Sequence, residues 1–195
     1  NINGAGQIVV AGTKGQLESF TPPEGSRVRA LEVAGAFHTE HMASASATLG
    51  RIGNALSTHD PRIRLISNSD GQVVHDGRAV VRRLVSQVAQ PVRWDLCMQT
   101  MLDLGVTAMI EIPPAGTLTN LAKRAMPGVE TLALKTPDDL PAAWKLIEKH
   151  GVKSTIETSP TWRLVISPAK GIFRTADIAF AEGDSLPPHT HVGYI

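Results

Sequence analysis

Hydrophobic and polar positions change rhythm twice along this chain. Residues 7–12 (Gln-Ile-Val-Val-Ala-Gly) form a short apolar run closed by Gly12, which predicts a short buried strand. A helix is expected after Thr13, a residue suited to an N-cap. Thr21-Pro22-Pro23-Glu24-Gly25 then makes a turn. Residues 27–33 (Arg-Val-Arg-Ala-Leu-Glu-Val) alternate polar and apolar, the pattern of a strand with one exposed face. Strand, helix and strand within the first third read as a small α+β unit.

From residue 39 the rhythm becomes helical. Met42, Leu49, Ile52 and Leu56 recur at helical spacing and predict a helix over 40–57. Residues 63–66 (Ile-Arg-Leu-Ile) read as a short strand, and Ser67-Asn68-Ser69-Asp70-Gly71 as a turn. An amphipathic helix is expected over 78–88, ahead of Pro91, and another over 95–104, ended by Gly105. Residues 106–112 (Val-Thr-Ala-Met-Ile-Glu-Ile) are mostly apolar, as in a buried parallel strand. A helix over 117–126, a strand over 130–134 and a helix over 138–149 follow. Alternating strands and helices of this kind predict an α/β fold with a parallel, doubly wound sheet.

The texture changes again beyond Gly151. Residues 151–160 are polar and aperiodic and read as a linker. Residues 162–166 (Trp-Arg-Leu-Val-Ile) look like a strand. Short apolar runs punctuated by Gly171, Gly183 and Pro187-Pro188 follow, with no helical period. The tail, 161–195, is expected to be a separate small β unit. No internal repeat or low-complexity segment interrupts the chain.

Composition narrows the function classes. The 195 residues carry 19 Lys+Arg against 18 Asp+Glu, a net charge of +1, with no basic run to suggest a nucleic-acid or membrane-surface partner. The only cysteine, Cys97, excludes an intramolecular disulfide and a cysteine-rich zinc site, and suits a reducing cytoplasm. No apolar stretch is long enough to span a bilayer, and the opening Asn-Ile-Asn-Gly-Ala-Gly does not read as a secretory leader. Both ends read as cut within a longer chain.

Several residues could carry chemistry. His38, in Ala34-Gly35-Ala36-Phe37-His38-Thr39-Glu40-His41-Met42, sits in a small-residue loop between a strand and a helix, where α/β folds keep their sites. An imidazole there can act as a general base. Taken singly, a surface or capping role outweighs that reading, and more so for His41. Gln87 could lend a carbonyl that fixes a histidine tautomer, the orienting part an Asp plays in a Ser-His-Asp triad; an exposed helix-end glutamine is the competing reading. Glu111-Ile112-Pro113-Pro114-Ala115-Gly116 could wall a site but reads better as a rigid turn. His189 and His191, at i and i+2, could share a face toward a metal, yet no third ligand is evident and Pro187-Pro188 favours a loop. No metal or cofactor is expected. No Gly-x-Ser-x-Gly elbow occurs, and Ser44 and Ser46 lie in a helical Ala/Ser stretch without strained-turn residues.

Five segments in order resemble the bacterial acyl-carrier-protein malonyltransferases of fatty-acid synthesis, in an actinobacterial version. They are Asn1–Gly12, Gly35–Met42, Ser67–Gly71, Gln87–Trp94 and Glu111–Leu118. The resemblance runs to about residue 150. It implies a hydrolase-like α/β acyltransferase domain with a ferredoxin-like insert, residues 1–38 ending the insert and 39–150 returning to the large domain. It also implies a ping-pong transfer of malonyl from malonyl-CoA, through a serine ester, to the phosphopantetheine thiol of acyl carrier protein. His38 would be the general base and then acid, and the Gln87 carbonyl would accept from the His38 ring. Asn3, with Asn1, would lie near the substrate. Phe37 would select malonyl over methylmalonyl by denying room to an α-methyl group, worth about 1–3 kcal/mol.

In the family pattern the serine elbow, the oxyanion-hole donors and the arginine for the malonyl carboxylate all lie upstream of residue 1. This chain alone is therefore expected to be inactive and to expose apolar surface. The full-length form is expected to be a cytoplasmic monomer.

The tail is similar to the opening of biotinyl/lipoyl-like domains, through Ser167-Pro168, Gly171-Ile172-Phe173, Gly183-Asp184 and Val192-Gly193-Tyr194-Ile195. The lysine hairpin of those domains is absent, and Lys170 lies outside such a context, so no biotin or lipoate is expected. Two other classes remain open. A non-catalytic carrier or interaction module would be led by this tail, and an α/β hydrolase would use His38 against water.

Overall fold

The computed structural model describes residues 1–151 and, beyond them, the two short strands Arg174–Thr175 and Gly193–Tyr194. The chain divides into two compact units, Asn1–Gly151 and Val152–Ile195.

The first unit opens with a hairpin, β1 (Ile2–Gly4) paired antiparallel to β2 (Gln7–Ile8). Gly4, Ala5 and Gly6 turn it with φ of 86°, 51° and 77°, a left-handed run that glycine relieves. Helix α1 (Lys14–Glu18) follows with Thr13 as N-cap, in a capping box with Gln16. A 3₁₀ turn (Glu40–Met42) leads into α2 (Ala43–Ala55). The short strands β3 (Leu65–Ile66) and β4 (Val73–Val74) pair antiparallel, and α3 (Gly77–Gln87) and α4 (Trp94–Asp103) follow. Then β5 (Ala108–Glu111), α5 (Thr117–Ala125) and β6 (Glu130–Ala133) form a βαβ unit with β5 and β6 parallel. Helix α6 (Leu140–His150) ends the unit.

The core lies between α4, α5 and the β5–β6 pair. Met98, Leu121, Ala122 and Met126 are buried at its centre, ringed by Trp94, Met101, Leu102, Met109, Leu118, Ala125 and Val129. Periodicity located α3 to α6 through apolar positions turned to a neighbour. In α2 the apolar Leu49, Ile52 and Leu56 that predicted the helix are exposed, and Gly50 and Gly53 face Val81 and Val85 of α3 instead. Helix α3 starts where it does because Asp76 accepts from the Ala79 amide and Asp60 Oδ1 accepts from the Gly77 amide at 2.9 Å.

Three expectations fail. Residues 27–33 form no strand; Val28, Leu31 and Val33 are exposed, and no partner strand pairs with them among the described residues. The strand-helix-strand expected of the first third is thus a hairpin and one short helix. Only Gln7–Ile8 of residues 7–12 is strand, and Ile8 is 65% exposed. A short apolar run signals strand without fixing burial. Nor do the strands join one doubly wound sheet: among the described residues they form separate pairs, of which only β5–β6 is parallel. A lone parallel bridge joins Ile2 to Arg93.

In the second unit, β7 (Arg174–Thr175) pairs antiparallel with β8 (Gly193–Tyr194). The expected strand at 162–166, the linker residues after Gly151, Lys170, His189 and His191 lie outside the described residues. Among the described residues, no helix is long and apolar enough to cross a membrane.

Candidate active site

Helix α3 ends at Gln87, so its last carbonyls have no partner within the helix. His38 uses two carbonyls at this end. Its backbone N–H donates to Val88 O at 3.1 Å, and its ring Nδ1 lies 2.7 Å from Gln87 O. A backbone carbonyl can only accept, so Nδ1 carries a proton, and in the neutral ring the lone pair is then on Nε2. The pair spans 49 residues of sequence.

The loop holding His38 is tight. His38 has φ of 61°, a left-handed conformation that a non-glycine residue adopts at a cost. The Thr39 hydroxyl donates to Ala36 O at 2.6 Å and braces the turn from inside. The small Ala34, Gly35 and Ala36 leave room for this curvature. The Phe37 ring, next in the chain, is half exposed.

Residues 87–93 form the spine of the site. At one end Gln87 and Val88 hold His38. At the other, Ile2 N–H donates to Val92 O at 2.8 Å and Val92 N–H donates to Asn1 Oδ1 at 3.0 Å, which ties β1 to the same loop. Asn3 is half-buried in β1. No hydrogen bond joins it to His38 or Gln87 among the described residues. Arg93 N–H donates to Asn68 O at 2.7 Å, which brings in the 67–71 turn. That turn is fastened by Arg83, whose Nη1 donates to Ser69 Oγ at 3.1 Å and pairs with Asp70. The Arg83 pairing helps hold the Asp70 carboxyl below its usual range, against a larger opposing effect of burial.

The other candidates fall elsewhere. His41 and Ser44 are exposed on the 3₁₀ turn and α2. Ser46 Oγ donates to Val85 O at 2.8 Å and staples α2 to α3. Glu111 closes the turn it was expected to stiffen. Its buried carboxylate accepts from the backbone N–H of Gly116, Leu118 and Thr119 at 2.8–2.9 Å, occupying the start of α5. Burial alone would raise its pKa, but those amides and the Thr119 hydroxyl outweigh burial and bring it to about 2. No capping-box spacing announces this, because Glu111 precedes the helix by a whole loop. Among the described residues no group of three or more His, Cys, Asp or Glu could hold a metal ion.

Sequence reasoning missed what the Gln87 side chain does. Its Nε2 donates to Gln90 O at 3.2 Å and Pro91 O at 2.8 Å. Its Oε1 is buried without a partner among the described residues, as is the Trp94 indole Nε1.

Comparison with known proteins finds similar sequences and folds. The chain is 51% identical over 142 residues, 72% of its length, to the malonyl CoA-acyl carrier protein transacylase of Mycobacterium tuberculosis. It is 44% identical over 146 residues to that of Mycolicibacterium smegmatis. The chain is a homologue of the malonyl CoA-acyl carrier protein transacylases. The crystal structure of the M. tuberculosis transacylase superposes with a TM-score of 0.61 at 48% identity, over 66% of this chain and 42% of that one. The chain spans about half the length of the transacylases it matches, 47% of the M. tuberculosis protein and 50% of the M. smegmatis protein. No family model matches the chain. The homology agrees with the α/β character of residues 1–151 and with the resemblance read from the five segments.

Proposed function

We propose that this chain carries the base side of a malonyl transfer site, in a protein that moves malonyl from malonyl-CoA to the phosphopantetheine thiol of acyl carrier protein. The observation that carries the reading is the 2.7 Å contact between His38 Nδ1 and the Gln87 carbonyl, in a homologue of malonyl CoA-acyl carrier protein transacylases. With Nδ1 holding a proton, Nε2 is the atom free to act.

The chemistry follows in two halves. His38 Nε2 takes the proton of a serine hydroxyl as its oxygen attacks the malonyl thioester. The imidazolium returns that proton to the departing CoA sulfur, leaving a malonyl-serine ester. In the second half Nε2 takes the proton of the pantetheine thiol, whose sulfur attacks the ester, and gives it back to the serine oxygen. No serine among the 195 residues sits in a Gly-x-Ser-x-Gly setting. The reading therefore assigns the nucleophile, the oxyanion donors and the carboxylate-gripping arginine to a segment outside this sequence. Phe37 would limit the space beside the malonyl α-carbon, and Asn3 would border the substrate from β1.

The same reading divides the chain at 38, 150 and 160, with a biotinyl/lipoyl-like β unit over 161–195. It has the complete protein acting as a monomer in the cytoplasm.

The test is a chimera in which residues 1–150 replace the corresponding stretch of the M. tuberculosis transacylase. The chain alone should show no malonyl ester by intact mass after incubation with malonyl-CoA. The chimera should transfer malonyl, and His38→Ala within it should slow transfer by about 10²–10⁴-fold. A malonyl ester on the isolated chain, or a His38→Ala chimera at full rate, would refute the reading.

A further inference from the structure

Any residue at position 87 would bring a backbone carbonyl to the His38 ring. The carbonyl therefore does not explain why the residue is glutamine, and the side chain needs its own account. Gln87 is only 6% exposed. Its Oε1 has no donor among the described residues, so burying this amide carries a desolvation cost that an apolar side chain of equal size would avoid. Stability alone does not recommend glutamine here.

The amide nitrogen does something an apolar chain cannot. It donates to Gln90 O at 3.2 Å and Pro91 O at 2.8 Å. Gln90 N–H in turn donates to Gln87 O at 3.3 Å. The two residues are thus bonded reciprocally, side chain to backbone in one direction and backbone to backbone in the other. Pro91 has no N–H and cannot close such a bond itself. The ring of bonds holds residue 90 so that its N–H occupies one lone pair of the Gln87 carbonyl. The other lone pair is left to His38 Nδ1 at 2.7 Å.

We propose that the Gln87 side-chain amide is a positioning residue for His38: by clamping Gln90 and Pro91 it aims the Gln87 carbonyl, and so fixes the Nδ1–H tautomer that leaves Nε2 free. The clamp stands on the geometry above; its value to catalysis rests on the proposed malonyl transfer.

The histidine tautomer can be read directly, without substrate, from long-range ¹H–¹⁵N correlations of the labelled chain. His38 is expected to be mainly Nδ1-protonated in the native chain. In Gln87→Met, which keeps length and backbone but removes the amide, the Nδ1–H to Nε2–H ratio should fall about fivefold, the equivalent of one ordinary hydrogen bond. Gln90→Ala should leave the ratio unchanged, because residue 90 contributes only its backbone. A folded Gln87→Met with the native ratio would overturn the proposal. Should Gln87→Met fail to fold, the native chain decides. Slow exchange of the Gln87 Nε2 protons, with through-bond coupling to the Gln90 and Pro91 carbonyl carbons, supports the clamp, and free exchange without coupling overturns it. An inactive chimera with an intact tautomer preference would sink the malonyl reading and leave the clamp standing.

Discussion

The Glu111 carboxylate sits over the first turn of α5, with Oε2 2.8 Å from the Thr119 amide, and so serves a helix that starts six residues later. Amides that could have faced an anionic ligand are already taken by an internal anion. The α5 N-terminus is thereby a structural joint between β5 and α5.

Acid should release that joint. The Glu111 pKa is about 2 in the folded chain against an ordinary value of 4.5, so its contribution is present above about pH 4.5 and is lost as pH falls toward 2. The amount is about 3 kcal/mol. Unfolding free energies from urea titrations between pH 5 and pH 2 should fall by that much more for the native chain than for Glu111→Gln. Parallel profiles for the two proteins would show that the carboxylate is not the acid-sensitive group.

Cys97 should be inert until the chain unfolds. The thiol is buried, with Sγ 3.5 Å from Ser67 O. Burial, reinforced by the charges of Asp95 and Asp70, pushes its pKa up to about 11 from 9.0. The thiolate fraction at pH 8 is then about 100-fold below that of an ordinary thiol. Labelling with a disulfide reagent should be at least about 100-fold slower in buffer than in 8 M urea, and equal rates would place Cys97 outside the core.

Gly71 should not tolerate a methyl group. Its φ is 73°, and an added Cβ would lie 2.5 Å from Leu96 Cβ and 2.6 Å from the Leu96 carbonyl carbon. The obstacle is helix α4 backbone, which cannot swing aside as a side-chain tip can. Gly71→Ala should cost about 2–4 kcal/mol by thermal or urea unfolding. A cost under 0.5 kcal/mol would mean the 67–71 turn is not pressed against α4.

Met126 and Ile63 separate core from surface. Met126 is fully buried in the α4–α5 cluster, while Ile63 is 83% exposed. Met126→Ala should cost about 2–5 kcal/mol, and Ile63→Ala under about 0.5 kcal/mol. Comparable losses for both would displace the core from where Met98 and Leu121 put it.

Much of the architecture was readable before any coordinate. Helices α3 to α6 fall within a residue or two of their predicted bounds, because apolar spacing and breakers such as Pro91 after α3 and Gly105 after α4 act locally. Residues 27–33 went wrong for the complementary reason. Alternation such as Val28-Arg29-Ala30 describes what a strand would present to a partner, and pairing is not written in the segment itself.

The sequence by itself determined the strand and helix alternation beyond residue 39, the Thr13 cap and the absence of a serine elbow. Each of these depends on residues within a few positions of one another. The tertiary structure decided that the carbonyl meeting His38 is the backbone one, that the Gln87 amide turns to Gln90 and Pro91, and that Glu111 fills its own helix terminus. Those contacts depend on where a chain end or a neighbouring loop comes to rest. A bond between residues 49 positions apart leaves no periodicity to read. His38 was therefore a loop histidine of ordinary type until folding set it against the open end of α3.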